Sequence, residues 1–91
     1  VLTPYDDEDD AVRIANDCVY GLAGNVMSGS LERSLAVARR LRAGFIGLNG
    51  TAGYGADTPF GGYKASGVGR QNGVEGFRQY TEVKSVAYPA Q

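Results

Sequence analysis

The chain has no histidine and no tryptophan, and only one cysteine and one methionine among its 91 residues. Without histidine it holds no His general base, no His metal ligand and no Ser-His or Cys-His pair of its own. Cys18 alone cannot close an internal disulfide, which suits a reducing compartment, so a cytoplasmic protein is expected. Charge of one sign is lacking too. Nine Lys and Arg against ten Asp and Glu leave a net charge of −1, which gives no electrostatic case for nucleic acid or for anionic lipid. No apolar run approaches the roughly 20 residues of a membrane span. Val1-Leu2-Thr3-Pro4 lacks the basic start and apolar stretch of a signal peptide. An initiator methionine is missing as well, and the chain opens in what reads as the middle of a strand. A piece of a larger protein is therefore expected.

Glycine, by contrast, is plentiful, at 14 residues. Four of them fall within Pro59-Phe60-Gly61-Gly62-Tyr63-Lys64-Ala65-Ser66-Gly67-Val68-Gly69-Arg70. Glycine weakens helices and strands, so the run marks backbone that bends sharply or approaches something closely. It is not a phosphate-cradling P-loop. Gly62 and Gly67 have the right separation, but Val68 and Gly69 stand where Lys and Ser or Thr belong. It is not a clean dinucleotide fingerprint either. Gly67-Val68-Gly69 supplies the first two glycines, and Asn72 takes the place of the third.

Along the chain, Val1 to Tyr5 reads as the end of a strand. In the acidic run Asp6-Asp7-Glu8-Asp9-Asp10, Asp6 or Asp7 is placed to cap a helix, and the other acids suit its positive N-terminal end. Apolar Ala11, Val12, Ile14, Ala15 and Cys18 follow at helical spacing, with Gly21 as a stop. Leu22 to Met27 reads as a buried strand. Leu31, Leu35, Ala38 and Leu41 give a second helix an apolar face, with Arg39, Arg40 and Arg42 in its last turn and Gly44 ending it. Phe45-Ile46-Gly47-Leu48 is a short buried strand. Residues 51 to 71 form a long loop, of the kind usually kept for function. Asn72 with Glu75 suggests a capping box on a third helix, and Thr81 to Tyr88 a final strand. Strands alternating with helices predict an α/β fold with mainly parallel strands.

The run 59–70 resembles the Pro-Phe-Gly-Gly-aromatic-Lys-x-Ser-Gly-x-Gly-Arg loop near the C-terminus of aldehyde dehydrogenases. The resemblance extends over nearly the whole chain. Ala15-Asn16-Asp17 with Tyr20-Gly21-Leu22, Ala38 to Gly44 with Leu48-Asn49, and Tyr80-Thr81-Glu82-Val83-Lys84-Ser85-Val86 are similar to family segments in the same order. It implies the C-terminal part of an NAD(P)-dependent aldehyde dehydrogenase. Residues 1–79 would close the catalytic α/β domain, including the loop 59–70, and residues 80–91 would be a terminal oligomerisation strand. The nucleophilic cysteine, the general-base glutamate and most NAD or NADP contacts would precede residue 1, so this stretch alone would be inert. Cys18 lies in a segment without a catalytic role in the family and is expected as buried filler. Tyr54 and Phe60 match aromatic residues lining the substrate tunnel for a small-molecule aldehyde. Lys64 and Gly67 match positions whose carbonyls hold a monovalent cation in some members. Arg70 and Glu82 are expected to pair with each other, or with a partner subunit in a dimer or tetramer. Gln71 departs from the usual glutamate and cannot carry a proton in a relay. A reading of another class also stands: a free-standing interaction module descended from such an enzyme.

Overall fold

A computed structural model describes residues 1–51, 53 and 55–90. The expectation for Tyr54 therefore falls outside the described residues.

The first helix, α1, spans Glu8–Asn16. Asp7 is its N-cap, and its carboxylate accepts the Asp10 backbone N–H at 2.8 Å. Glu8, Asp9 and Asp10 sit in the first turn, where the helix dipole favours negative charge. The helix stops at Asn16, not at Gly21. The next residues build β1, Tyr20–Gly21, and β2, Ala23–Val26. Val12 is the one buried large apolar side chain among the described residues.

The second helix, α2 (Leu31–Ala38), is capped by Ser30, whose hydroxyl accepts from the Arg33 N–H at 3.3 Å. It ends before the arginines expected in its last turn. Asn16 supplies the cause. Its amide nitrogen donates to the Arg40 carbonyl at 2.9 Å, and its amide oxygen accepts the Arg42 N–H at 2.8 Å. That fork draws the chain away from the helical path and feeds it into β3, Phe45–Leu48.

β2 and β3 pair in parallel, with Ala23 opposite Phe45 and Val26 opposite Leu48. Together with α2 they form a βαβ unit, as the alternating pattern predicts. The expectation of mainly parallel strands meets one exception. Inside the long loop a short β4, Tyr63–Lys64, pairs antiparallel with β1. The strand expected over residues 22–27 is also less buried than its composition suggests, with Leu22, Ala23 and Asn25 exposed.

The third helix, α3, spans only Gly73–Arg78, and the expected capping box is absent. Asn72 lies at φ 63° and its side chain caps nothing, while Glu75 faces Arg78 at 3.4 Å. Val74, Phe77 and Tyr80 are exposed. Residues 1–5 and 81–90 adopt no strand. A strand exists only in a ladder, and no edge among the described residues pairs with either segment.

Candidate functional site

The glycine-rich loop is fixed to the rest of the chain by backbone contacts that only glycine permits. A Cβ on Gly44, the residue before β3, would land on the Gly61 carbonyl oxygen and lie 3.3 Å from the Gly62 Cα. A Cβ on Gly21 would meet the Arg42 carbonyl and the Tyr63 side chain. The loop thus abuts the end of β1 and the start of β3. A hydrogen bond adds to this: the Gly21 N–H donates to the Ser66 hydroxyl at 2.8 Å.

Within the loop, Phe60 and Gln71 exchange both backbone hydrogen bonds, at 2.8 and 2.6 Å. This bridge closes a ten-residue excursion. It also holds the half-buried Phe60 ring against Phe45, with centroids 6.2 Å apart and the rings tilted by 55°. That is the offset geometry aromatic pairs favour. Phe60 is therefore oriented by a backbone pair below it and a β3 aromatic beside it. A hollow of about 230 Å³ lies along this face, with Leu22, Phe60, Arg70, Gln71 and Gln79 among its walls.

Arg70 does not pair with Glu82 within the chain. Its guanidinium donates to the carbonyls of Gly62 at 3.1 Å and Gly69 at 2.7 Å, spanning the loop from one side to the other. The Gln79 side chain accepts the Arg70 backbone N–H at 3.0 Å. Glu82 is exposed, in the segment without secondary structure. Gln71 contributes its backbone to the bridge with Phe60 and is itself exposed.

Lys64 lies at φ 53°, and its ammonium donates to the carbonyls of Asn16 at 2.9 Å and Cys18 at 3.1 Å. It thereby places a positive charge at the C-terminal end of α1, where the dipole favours one. Gly67, at φ 124°, has open space where a side chain would be. Cys18 is exposed, not buried filler, and its thiol lies 3.1 Å from the Tyr20 carbonyl. Sequence reasoning also missed Asn16 and Phe45, which organise the chain around the loop. The only signal for Asn16 was its place in an Asn-Asp pair just past the apolar helical face.

The described residues do not carry the glycine fingerprint of a dinucleotide site. The βαβ unit carries Met27-Ser28-Gly29-Ser30 at its first turn, not a Gly-x-Gly turn. Gly67 and Gly69 instead follow an antiparallel strand and lead to a six-residue helix. Among the described residues no group of His, Cys, Asp or Glu is arranged to hold a metal ion, and no helix is long and apolar enough to cross a membrane.

Residues 1–86 match the model of the aldehyde dehydrogenase family. A 3-succinoylsemialdehyde-pyridine dehydrogenase from a Pseudomonas species is 53% identical over 85 residues, covering 93% of this chain and 18% of that protein. A betaine aldehyde dehydrogenase from Bacillus subtilis is 46% identical over 82 residues, covering 90% of the chain and 17% of the protein. The solved structure of a Mycobacterium tuberculosis aldehyde dehydrogenase complexed with NAD+ superposes with a TM-score of 0.89 at 48% identity, over 94% of this chain and 18% of that one. The chain thus spans less than a fifth of the length of these relatives.

Proposed function

The chain belongs to the aldehyde dehydrogenase family, and on that premise we propose that it forms the C-terminal part of an enzyme oxidising an aldehyde to a carboxylic acid with NAD or NADP. The observation that carries this reading is the match over residues 1–86, which includes the whole glycine-rich loop. In the proposed enzyme the nucleophile, the water-activating base and the dinucleotide site all come from chain outside these residues. NAD or NADP, held by that other chain, would supply the hydride acceptor.

The role of this stretch is to shape the chamber. Phe60, steadied by Phe45 and the Gln71 bridge, presents a flat apolar wall that excludes water from the reacting carbon. Tyr54 adds a second wall with a hydroxyl. The carbonyls of Lys64 and Gly67 offer ligands to a monovalent cation. Residues 80–91 act as an assembly strand once a partner edge is present, with Glu82 available to a neighbouring subunit of a homo-oligomer. The proposed enzyme works in the cytoplasm.

The test is the product of the complete gene, supplied with a panel of aldehydes and NAD or NADP, with reduced cofactor as the readout. Aldehyde-dependent reduction is expected. Phe60→Ala is expected to change the ratio of kcat/KM between bulky apolar and small polar aldehydes by about tenfold, the scale on which an apolar pocket discriminates. A complete product with no aldehyde-dependent reduction would sink the proposal. An unchanged ratio in Phe60→Ala would remove Phe60 from the chamber wall.

A further inference from the structure

The strand β3 carries a glycine in its interior, Gly47, between Ile46 and Leu48. Glycine weakens a strand, and its presence there marks the close approach of another group. The backbone conformation does not call for it, since Gly47 is not among the residues at positive φ. The neighbours do. A Cβ on Gly47 would lie 2.6 Å from the Thr51 carbonyl oxygen and 2.7 Å from the Asn25 amide nitrogen. Asn25 is the partner of Gly47 across the β2–β3 ladder. Gly47 is buried, and these two groups stand where its side chain would be.

Four hydrogen bonds turn the chain back onto the strand. Asn49 and Gly50 follow β3 at φ 51° and 80°. The Asn49 N–H donates to the Val26 carbonyl at 2.8 Å, and the Asn49 side chain accepts the Ser28 N–H at 2.9 Å. The Thr51 N–H donates to the Leu48 carbonyl at 3.1 Å, and the Gly50 N–H to the Asn25 amide oxygen at 3.4 Å. One end of the Asn25 amide thus holds the turn, while the other shares the space above Gly47 with Thr51. Side chains alternate along a strand, so Phe45 and Gly47 belong to the same face of β3. Phe60 returns against Phe45. The loop therefore leaves the strand over Gly47 and comes back over Phe45, positions about 7 Å apart. Close ends of this kind define an Ω-type loop, a form frequently used for function.

We propose that Gly47 and Asn25 are specificity-determining positioning residues. The missing side chain of one and the amide of the other let the loop lie low on β3, and its height there sets the fit of the aldehyde beside Phe60. The inference rests on the reading of this chain as part of an aldehyde-oxidising enzyme. Each residue acts through the loop backbone, not by touching the substrate. To retreat from 2.6 Å to ordinary contact at 3.4 Å, the Thr51 carbonyl has to move by about 0.8 Å, close to the displacement of about 1 Å that can change a rate about a hundredfold.

The experiment uses the product of the complete gene. It measures kcat/KM for a bulky apolar and a small polar aldehyde, and amide hydrogen exchange at Thr51 and Thr58, whose N–H groups bond to Leu48 and Gly55. Gly47→Ala is expected to shift the ratio of the two kcat/KM values at least about fivefold, with KM for NAD or NADP unchanged. Exchange at Thr51 and Thr58 is expected to accelerate at least about tenfold while the β2 and β3 amides stay protected. A residue serving stability alone would speed exchange throughout and leave the ratio in place. Asn25→Ala, at an exposed position, removes the Gly50 tether without adding an atom. It is expected to shift the ratio in the same direction by a smaller factor, and it decides the matter if Gly47→Ala does not fold. A parent without aldehyde-dependent reduction overturns the aldehyde reading, and the role in selectivity with it. An active parent whose ratio, or whose exchange at Thr51 and Thr58, stays unmoved in a folded variant overturns this inference alone.

Discussion

Expressing Val1 to Gln91 without any flanking chain removes whatever covers its exposed face. The structure exposes 7416 Å². A folded monomer of 9.6 kDa exposes about 5,100 Å², so roughly 2,300 Å² is left uncovered. Tyr20, Leu31, Val74, Phe77 and Tyr80 are among the large apolar side chains left in that surface. The radius of gyration tells the same story, at 18.0 Å against about 12 Å for a compact chain of this length. If a little over half of the excess is apolar, about 1,300 Å², roughly 30 kcal/mol of gross hydrophobic stabilisation is missing. Net domain stability is only about 5–15 kcal/mol. The isolated 91 residues are therefore expected to lack a cooperative fold. Far-UV circular dichroism during urea titration, with amide hydrogen exchange, checks this: a broad, non-cooperative loss of signal and unprotected β2 and β3 amides are expected. A single sharp transition with those amides protected would refute the reasoning.

Three further outcomes follow from named contacts, each measured in the complete gene product. Gly44→Ala puts a methyl group onto the Gly61 carbonyl, where backbone has to move, and is expected to cost about 3 kcal/mol or more in urea unfolding. Ser34 is fully buried and its hydroxyl has no hydrogen-bond partner. Ser34→Ala should therefore be neutral or stabilise by up to about 1 kcal/mol, since it removes an unsatisfied group from a helix interior. The Arg13 guanidinium, and then the Asp6 backbone N–H, hold the Asp10 carboxyl below its ordinary 3.8. A depressed carboxyl contributes stability that is present above its unfolded value and lost as pH falls through the folded one. The melting-temperature difference between the parent and Asp10→Asn should thus stay level from neutral pH to about 4 and shrink only in stronger acid. A difference that closes near neutral pH would contradict the pairing.

Most of what local chemistry decides was legible in the sequence. Asp7 caps the helix its residue type announces, and Ala23 to Leu48 folds as strand, helix and parallel strand. The failures come where tertiary contacts override local preference. Asn72 and Glu75 have the spacing of a capping box, yet the backbone at Asn72 lies at φ 63°. The following Gly73 donates its N–H to the Ala56 carbonyl at 2.8 Å, which fixes the entry to α3 from the loop side. The second helix ends early because Asn16, 24 residues before Arg40, takes that residue's carbonyl. No periodicity in a short window contains such a partner. Cys18 was expected inside because cysteine is so often buried. It is exposed together with its neighbours Val19 and Tyr20.

The glycines of the loop gain their meaning from what sits opposite them. Gly44 is not in the run 59–70, yet its missing side chain is what lets Gly61 and Gly62 approach the start of β3. Once that approach is made, Phe60 falls beside Phe45, one residue further along β3 from Gly44. Tyr63 in turn falls beside Arg42, two residues before Gly44. One backbone contact therefore sets the Phe45–Phe60 ring pair and the Arg42–Tyr63 contact together. A substitution at Gly44 should disturb both, whereas changes at Phe60 or Arg42 should each disturb only one. The pairing of those effects is a stricter test of this architecture than either loss alone, because two independent sites have no reason to fail together.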